Sequence, residues 1–319
     1  MEAAKGAPLP QGPAVNLLAG FDLRCVDVAG VRIRIALAPP PTTSQARSLL
    51  LLGGRTEFIE KYADTMAELR ARGFHVATLD WRGQGASDRL LADRVRGHAV
   101  DFRHFQHDLD ALLGAIEGVL PRPWYGFAHS MGALILLDRL VQEPNLVAKA
   151  VLSAPFLDLA APRWQKLVGK PAVRLARRLG LQAAFFPGQR HEPVLPDALR
   201  PDLLTSDHAR FERYRELCST RPDYLLGGVT VGWLAAVVDA FDRLAQPGAL
   251  ERTTTPLLIL KAGNERIVCA TAADRVARRL PAAEVVDFPG AEHELLWEID
   301  PIRNAVFDLA DRFLDHGSP

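Results

Sequence analysis

The chain has 319 residues, 48% of them hydrophobic, with 38 basic and 38 acidic side chains and no formal net charge. That length and content support a large core, as one domain or as a domain with an insertion, and the charge balance gives no electrostatic footprint for nucleic acid or an acidic polymer. The three cysteines, Cys25, Cys218 and Cys269, are far apart and form no CxxC pair. They argue against a disulfide scaffold or a zinc site and fit a reducing, cytoplasmic setting.

Residues 1–20 are rich in Ala, Pro and Gly and lack a basic start followed by an apolar core, so they read as a loose arm rather than a signal peptide. No apolar run approaches the roughly 18 to 20 residues that span a bilayer. Val26, Val28, Val31, Ile33, Ile35 and Leu37 alternate with polar or small residues around Ala29-Gly30, the pattern of an edge hairpin. Leu49 through Leu52 form a short continuous apolar run ending at Gly53-Gly54, as expected of a strand buried on both faces. Ile59, Tyr62, Met66 and Leu69 then recur at helical spacing up to Gly73, and residues 74–80 form the next strand. A glycine-punctuated loop, DWRGQGASD (residues 80–88), precedes a long helix with Phe102, Phe105, Leu109, Leu112, Ile116 and Leu120 on one face. Asp80, Arg82, Ser87 and Asp88 read as polar pins for that loop.

Residues 124–129 form a strand that runs into Ser130 and restarts as a helix, which places the serine on a strand-to-helix corner. The residues two before and two after it, Ala128 and Gly132, are small, as close approach of strand and helix demands. Such a corner pushes the hydroxyl out of the sheet edge and leaves the Met131 N–H free to bind a developing oxyanion. After another strand at residues 150–153 the alternation breaks. From 158 to about 250 helical spacing dominates, for instance Trp233, Val237, Phe241 and Leu244. Strand and helix alternation resumes with residues 256–260, 272–280, 284–288 and a last helix carrying Ile302, Val306, Leu309 and Phe313. The expected architecture is α/β: a mostly parallel sheet flanked by helices, with core segments 21–157 and 251–319 and a helical cap, 158–250, inserted after the sixth strand.

Ligands of such sheets bind at the carboxyl ends of the strands. Three loops there carry the side chains that serine catalysis requires, because serine needs a base to remove its proton and the base needs an acid to fix its tautomer. The base candidate is His293, after the last strand. Glu265, in AGNERIV, is the acid candidate, with Asp158 as the substitute if Glu265 merely pairs with Arg266. His129 neighbours the serine but reads as packing that points away from it. Gly53 and Gly54 allow close backbone approach, so the Arg55 N–H is the second candidate oxyanion donor, its side chain being given no role.

The motifs GGRTEFIEKY (53–62), DWRGQGASDR (80–89), RGHAVDF (96–102), AHSMGA (128–133), GGVTVGW (227–233) and GAEHELLWE (290–298) together resemble the bacterial lysophospholipase branch of the monoacylglycerol-lipase-like α/β hydrolases, of the serine aminopeptidase S33 type. The order Ser130, Glu265, His293 is that of the α/β-hydrolase topology. The resemblance implies a serine carboxylic-ester hydrolase working through an acyl-enzyme on lysophospholipid or monoacylglycerol-type esters, with no metal and no cofactor. Alternatives on the same triad are amidase, aminopeptidase or acyltransferase chemistry. A hydrolase-fold protein that binds a lipid or partner without turnover is the alternative of a different class. Ala128 stands where the family's first elbow glycine is usual, Gly53 where histidine is frequent, and Glu265 where aspartate is commoner.

Residues 160–191 carry Arg163, Lys166, Lys170, Arg174, Arg177, Arg178 and Arg190 without an Asp or Glu, interleaved with apolar side chains. Two readings stand. In one, the stretch Arg163–Arg178 meets an anionic membrane, which makes the protein peripheral at the inner face. In the other it is an ordinary cap helix with its apolar face toward the pocket and its charges in water. Trp164, Phe185, Phe186, Leu226 and Trp233 are the expected lining of an acyl-chain pocket.

Overall fold

The structure is a computed structural model that describes residues 17–42, 46–189, 191–193 and 201–315. Most of the expected arm, residues 1–16, and Arg190 lie outside the described residues. Leu18, near the end of that arm, is buried in the core cluster that also contains Ala36 and Ala38.

Eight strands form one sheet in the order β1-β2-β4-β3-β5-β6-β7-β8. The hairpin β1 (Asp22–Val28) and β2 (Val31–Leu37) is antiparallel at the edge and joins β4 (Phe74–Leu79) antiparallel; β3 (Arg47–Leu52), β5 (Trp124–His129), β6 (Lys149–Ser153), β7 (Leu257–Ala262) and β8 (Ala283–Phe288) continue in parallel. The run at residues 49–52 has no polar alternation because both faces of β3 are covered. Leu50 and Leu52 pack with α2 (Arg103–Ile116) and α3 (Met131–Leu140) on one side, whereas Leu49 and Leu51 pack with α1 (Ala63–Ala71) and α9 (Asp300–Asp315) on the other. The polar pins hold the loop after β4. The Asp80 carboxylate accepts the N–H of Ile59 and of Ala86 and pairs with Arg34, the Ser87 hydroxyl bonds the Asp80 carbonyl, Arg82 pairs with Asp108, and Asp88 with Arg32.

Between β6 and β7 the described chain contains α4 (Arg163–Arg178), α5 (Pro201–Leu204), α6 (His208–Thr220) and α7 (Val231–Ala245), and α8 (Ala270–Ala277) follows β7. Helix α7 is buried in the main core through Trp233, Ala236, Val237, Ala240, Phe241 and Leu244. Its outer face carries Asp239 and Asp242, and α4 lies on those carboxylates: Lys170 bonds Asp242 at 2.8 Å, Arg174 bonds Asp239 at 2.9 Å and also Asp242, and Arg177 reaches Asp239 at 2.8 Å. Lys166 pairs with Asp158 at 2.7 Å. This inverts the expectation of an ordinary cap helix with its charges in water. The charged face is turned in because acidic partners wait on α7, and the apolar face is turned out: Trp164 is 66% and Leu167 77% exposed, with Val168, Leu175, Leu179 and Leu181 also exposed.

Candidate active site

Ser130 is the residue between β5 and α3, with φ 50° and ψ −112°, a strained backbone for a side chain with a Cβ. The neighbouring packing enforces it. A Cβ on Gly132 would lie 2.3 Å from the Leu52 carbonyl oxygen and 2.5 Å from that of Gly53, so only glycine lets α3 start this close to β3. Ala128 is fully buried and its methyl group is accommodated. On the open side, a Cβ on Gly54 would meet the Ser130 Cβ at 3.1 Å, so the loop after β3 brackets the serine.

The topology brings the expected side chains together. His293 Nε2 is 3.1 Å from Ser130 Oγ, and His293 Nδ1 is 2.7 Å from Glu265 Oε2. The other carboxylate oxygen of Glu265 accepts the N–H groups of Ile267 and Val268 at 2.8 and 3.0 Å. Asp158, the substitute acid, is instead held by Lys166 and Arg275. Burial pushes the His293 imidazole down, but the bond and charge of Glu265, with Glu294 and Glu57 behind it, outweigh burial and hold it above its ordinary value. For Glu265 burial acts upward, and His293 and the two backbone N–H groups outweigh it, so the carboxylate is held below its usual range. The resulting arrangement is an ionised acid, a histidine oriented by it, and a hydroxyl within proton-transfer reach.

The loop after β3 is pinned on both sides of Arg55. Gly54 N–H donates to Glu57 and Thr56 N–H to Gln84 at 2.5 Å, while the N–H of Arg55 has no acceptor among the described residues. Trp81 fixes the Gly53 carbonyl at 2.8 Å. Met131 opens α3, where the first N–H groups have no intrahelical acceptor, and both Met131 and Arg55 line the same cavity as Ser130.

Sequence reasoning missed the group behind the site. Lys61 sits between Glu57 (2.5 Å) and Glu294 (2.6 Å), and Tyr62 donates to Glu57 at 2.5 Å. His129 belongs here too: it does not point away from the site but lies 4.8 Å, ring to ring, from His293 and 3.5 Å from Glu294. Burial pushes the His129 imidazole down despite both glutamates, which keeps it neutral. The Glu57 and Lys61 pair at i,i+4 was a readable signal; its closure by Glu294 was not. Glu57, His129 and Glu294 have the donor spacing of a metal site, but the Lys61 ammonium already occupies the position between the two carboxylates, so the set does not fit a cation.

The cavity over Ser130 has a volume of about 340 Å³ and is lined largely by apolar side chains, among them Phe156, Leu159, Leu225, Leu226, Val229 and Trp233. Of the expected pocket residues, Leu226 and Trp233 line it. Trp164 does not, since it projects from the outer face of α4. Phe185 and Phe186 sit one layer out: Phe185 stacks on His191 and bridges to Thr230, and the Phe186 N–H bonds the carbonyl of Val229.

Sheet order, strained corner and inserted helices define an α/β hydrolase with a helical cap. The chain belongs to the serine aminopeptidase S33 family, whose profile matches residues 43–300. It is 30% identical over 285 residues to lysophospholipase L2 of Escherichia coli (strain K12), covering 86% of this chain and 82% of that protein. It is 28% identical over 283 residues to a probable lysophospholipase L2 of Haemophilus influenzae, covering 86% of each. A soluble variant of monoglyceride lipase from Saccharomyces cerevisiae, solved with a substrate analogue, shares the fold with a TM-score of 0.72 at 20% identity, over 92% of this chain and 96% of that one. With these relatives the protein is a hydrolase of the esterase type.

Proposed function

We propose that the protein is a serine carboxylic-ester hydrolase that acts through an acyl-enzyme on lysophospholipid or monoacylglycerol-type esters. The observation that carries this reading is the chain Glu265, His293, Ser130 opening into an apolar cavity. His293 takes the proton of Ser130 as the hydroxyl attacks the ester carbonyl, Glu265 supports the imidazolium, and the N–H groups of Met131 and Arg55 receive the oxyanion. His293 then protonates the leaving alcohol, and water repeats the sequence to release the fatty acid. The apolar lining suits an acyl chain, each buried methylene of which contributes about 0.8 kcal/mol. An aminopeptidase would need a free carboxylate for the substrate ammonium; the two cavity carboxylates, Glu57 and Glu294, are already bonded to Lys61.

The outward apolar face of α4 supports peripheral contact with an anionic membrane. Its exposed Trp and Leu side chains are flanked by Arg163 and Arg178, exposed and without an acidic partner among the described residues. No described helix is long and apolar enough to cross a bilayer. Helix α4 begins just beyond Leu159 and Ala160, which line the cavity, so docking by this face puts the site beside the lipid that supplies it.

The test is a fluorophosphonate probe together with p-nitrophenyl esters, a monoacylglycerol and a lysophosphatidylcholine, each beside Ser130→Ala. Labelling at Ser130 and turnover lost in the variant are expected. Retained turnover in purified Ser130→Ala would sink the mechanism; absence of both labelling and turnover in the wild type would make a binding protein the better reading.

A further inference from the structure

The side chain of Arg55, given no role from sequence, is half-buried and differs from the cations paired around the site. Arg34 is bonded to Glu60 and Asp80, Lys61 to Glu57 and Glu294, and Arg82 to Asp108. Arg55 has no carboxylate partner among the described residues. Its Nη2 donates to the Gly227 carbonyl at 2.6 Å, its guanidinium carbon lies 5.4 Å from the centre of the Trp233 ring, and its Nε is buried without a partner. Arg89 and Arg221 also leave a buried Nε unpartnered, but neither lines the cavity over Ser130, and Arg55 does. Desolvation of this half-buried side chain, with no compensating charge, pushes the Arg55 guanidinium down to about 10, so it is still cationic at neutral pH.

The position is a built one. Gly97 N–H bonds the carbonyl of Gly228, Thr230 N–H bonds that of Gly97, and Gly227 N–H bonds that of Val95. This backbone pairing of the RGH and GGVT segments forms the wall on which the guanidinium rests. A Cβ on Gly97 would lie 2.5 Å from Arg55 Nη2, so the glycine leaves room for the fork. A charge partly taken out of water without a counter-ion carries a cost, and an anionic ligand entering the cavity would offset it. The planar fork matches two oxygens of a phosphate. Its distance from the chemistry also suits one. Arg55 follows Gly54, which abuts Ser130, and it lines the same cavity as the serine, so the guanidinium lies beside and not at the scissile ester. In a lysophospholipid the glycerol backbone likewise sets the phosphate apart from the ester. The fatty-acid carboxylate, in contrast, forms at Ser130 itself.

We propose that the Arg55 guanidinium binds the phosphate of a lysophospholipid head group and sets a preference for phosphate-bearing over neutral glycerol esters. This rests on the ester-hydrolase reading above. The experiment compares wild type, Arg55→Lys and Arg55→Met on lysophosphatidylglycerol, lysophosphatidylcholine and a monoacylglycerol of one acyl chain, in the same detergent. In Arg55→Met the ratio of kcat/KM for the phosphate-bearing substrates to that for monoacylglycerol falls about tenfold or more, mainly through KM, and Arg55→Lys restores part of it. In parallel, glycerol 3-phosphate competes with p-nitrophenyl ester hydrolysis by the wild type and not by Arg55→Met. An equal loss on all three lipids would reduce Arg55 to a brace for Gly227 and overturn the proposal. Competition by inorganic phosphate as strong as by glycerol 3-phosphate, with the lipid ratio unmoved, would mark a free-phosphate site and overturn it as well. A wild type that turns over no lipid, while Ser130 is labelled, overturns the lipid-ester reading instead.

Discussion

Lys61, in the 3-10 turn before α1, reaches 2.6 Å to Glu294, the residue that follows His293. Through its second bond to Glu57, which holds the Gly54 N–H, one ammonium group ties the loop that brackets Ser130 to the loop that carries His293. Lys61→Met removes the cation and leaves two buried carboxylates facing each other. The expected result is a loss of about 3–5 kcal/mol in urea unfolding, since breaking a buried pair strands the remaining charge. Lys61→Met with wild-type stability would mean that this ammonium does not hold the two loops together.

Glu265→Gln is expected to lower kcat about 10³- to 10⁴-fold by losing the acid that orients His293, whereas Asp158→Asn, which loses only contacts to Lys166 and Arg275, keeps kcat. Near-equal losses in the two variants would remove Glu265 from the proposed role. The pH profile gives a second readout. In the proposed role His293 is a base only when neutral, and it is held above its ordinary 6.5 because Glu265 outweighs burial, so kcat/KM of the wild type should rise with pH through an inflection above 6.5; in Glu265→Gln the inflection should move down.

Stability follows with the opposite slope. The raised value of His293 contributes stability that is complete below 6.5 and lost as pH climbs through the folded value. The depressed value of Glu265 contributes stability present above 4.5 and lost as pH falls through its folded value. The pair is therefore worth most between 4.5 and 6.5. The gap between wild type and Glu265→Gln should be larger at about pH 5.5 than at about pH 8.5.

What the sequence reveals and what it hides divide along physical lines. The two-sided burial of Leu49 to Leu52 and the small residues around Ser130 are local patterns, and strand order then carries His293 and Glu265 to the same sheet edge. The Lys61 bond to Glu294 joins residues 233 positions apart, and nothing in either local pattern marks it. The orientation of α4 is hidden for a related reason. Amphipathic spacing defines two faces but not which one turns inward, and the choice here is made by Asp239 and Asp242 on a helix some 70 residues away. The absence of acids within residues 160–191 suggests solvated charge; the acids are supplied by α7 and by Asp158.

That inversion sets a prediction. Leu167→Glu with Leu175→Glu puts charge on the exposed face of α4 and touches neither the ion pairs to α7 nor the cavity. Sedimentation with phosphatidylglycerol and phosphatidylcholine vesicles should show at least about a tenfold weaker association than wild type, with turnover of a water-soluble p-nitrophenyl ester retained. Vesicle binding equal to wild type would exclude this face as the lipid contact.

The elbow makes the sharpest steric prediction, because its two small residues are not equivalent. Ala128 already carries a buried Cβ, so Ala128→Gly restores the commoner pattern without gain in kcat and costs about 0.5–1 kcal/mol in chain entropy and lost packing. At Gly132 an added Cβ would meet the carbonyl oxygens of Leu52 and Gly53 at 2.3 and 2.5 Å. Neither can easily withdraw: Leu52 is paired in the sheet with Ala128, and the Gly53 carbonyl is held by the Trp81 indole. Gly132→Ala therefore pushes the start of α3 away from β3, carrying the Met131 N–H and Ser130 with it. Overpacking of this kind costs about 1–3 kcal/mol, and a shift of an ångström at the nucleophile is expected to lower kcat about 100-fold. Folded Gly132→Ala with wild-type kcat would show that Ser130 is placed by something other than this close approach.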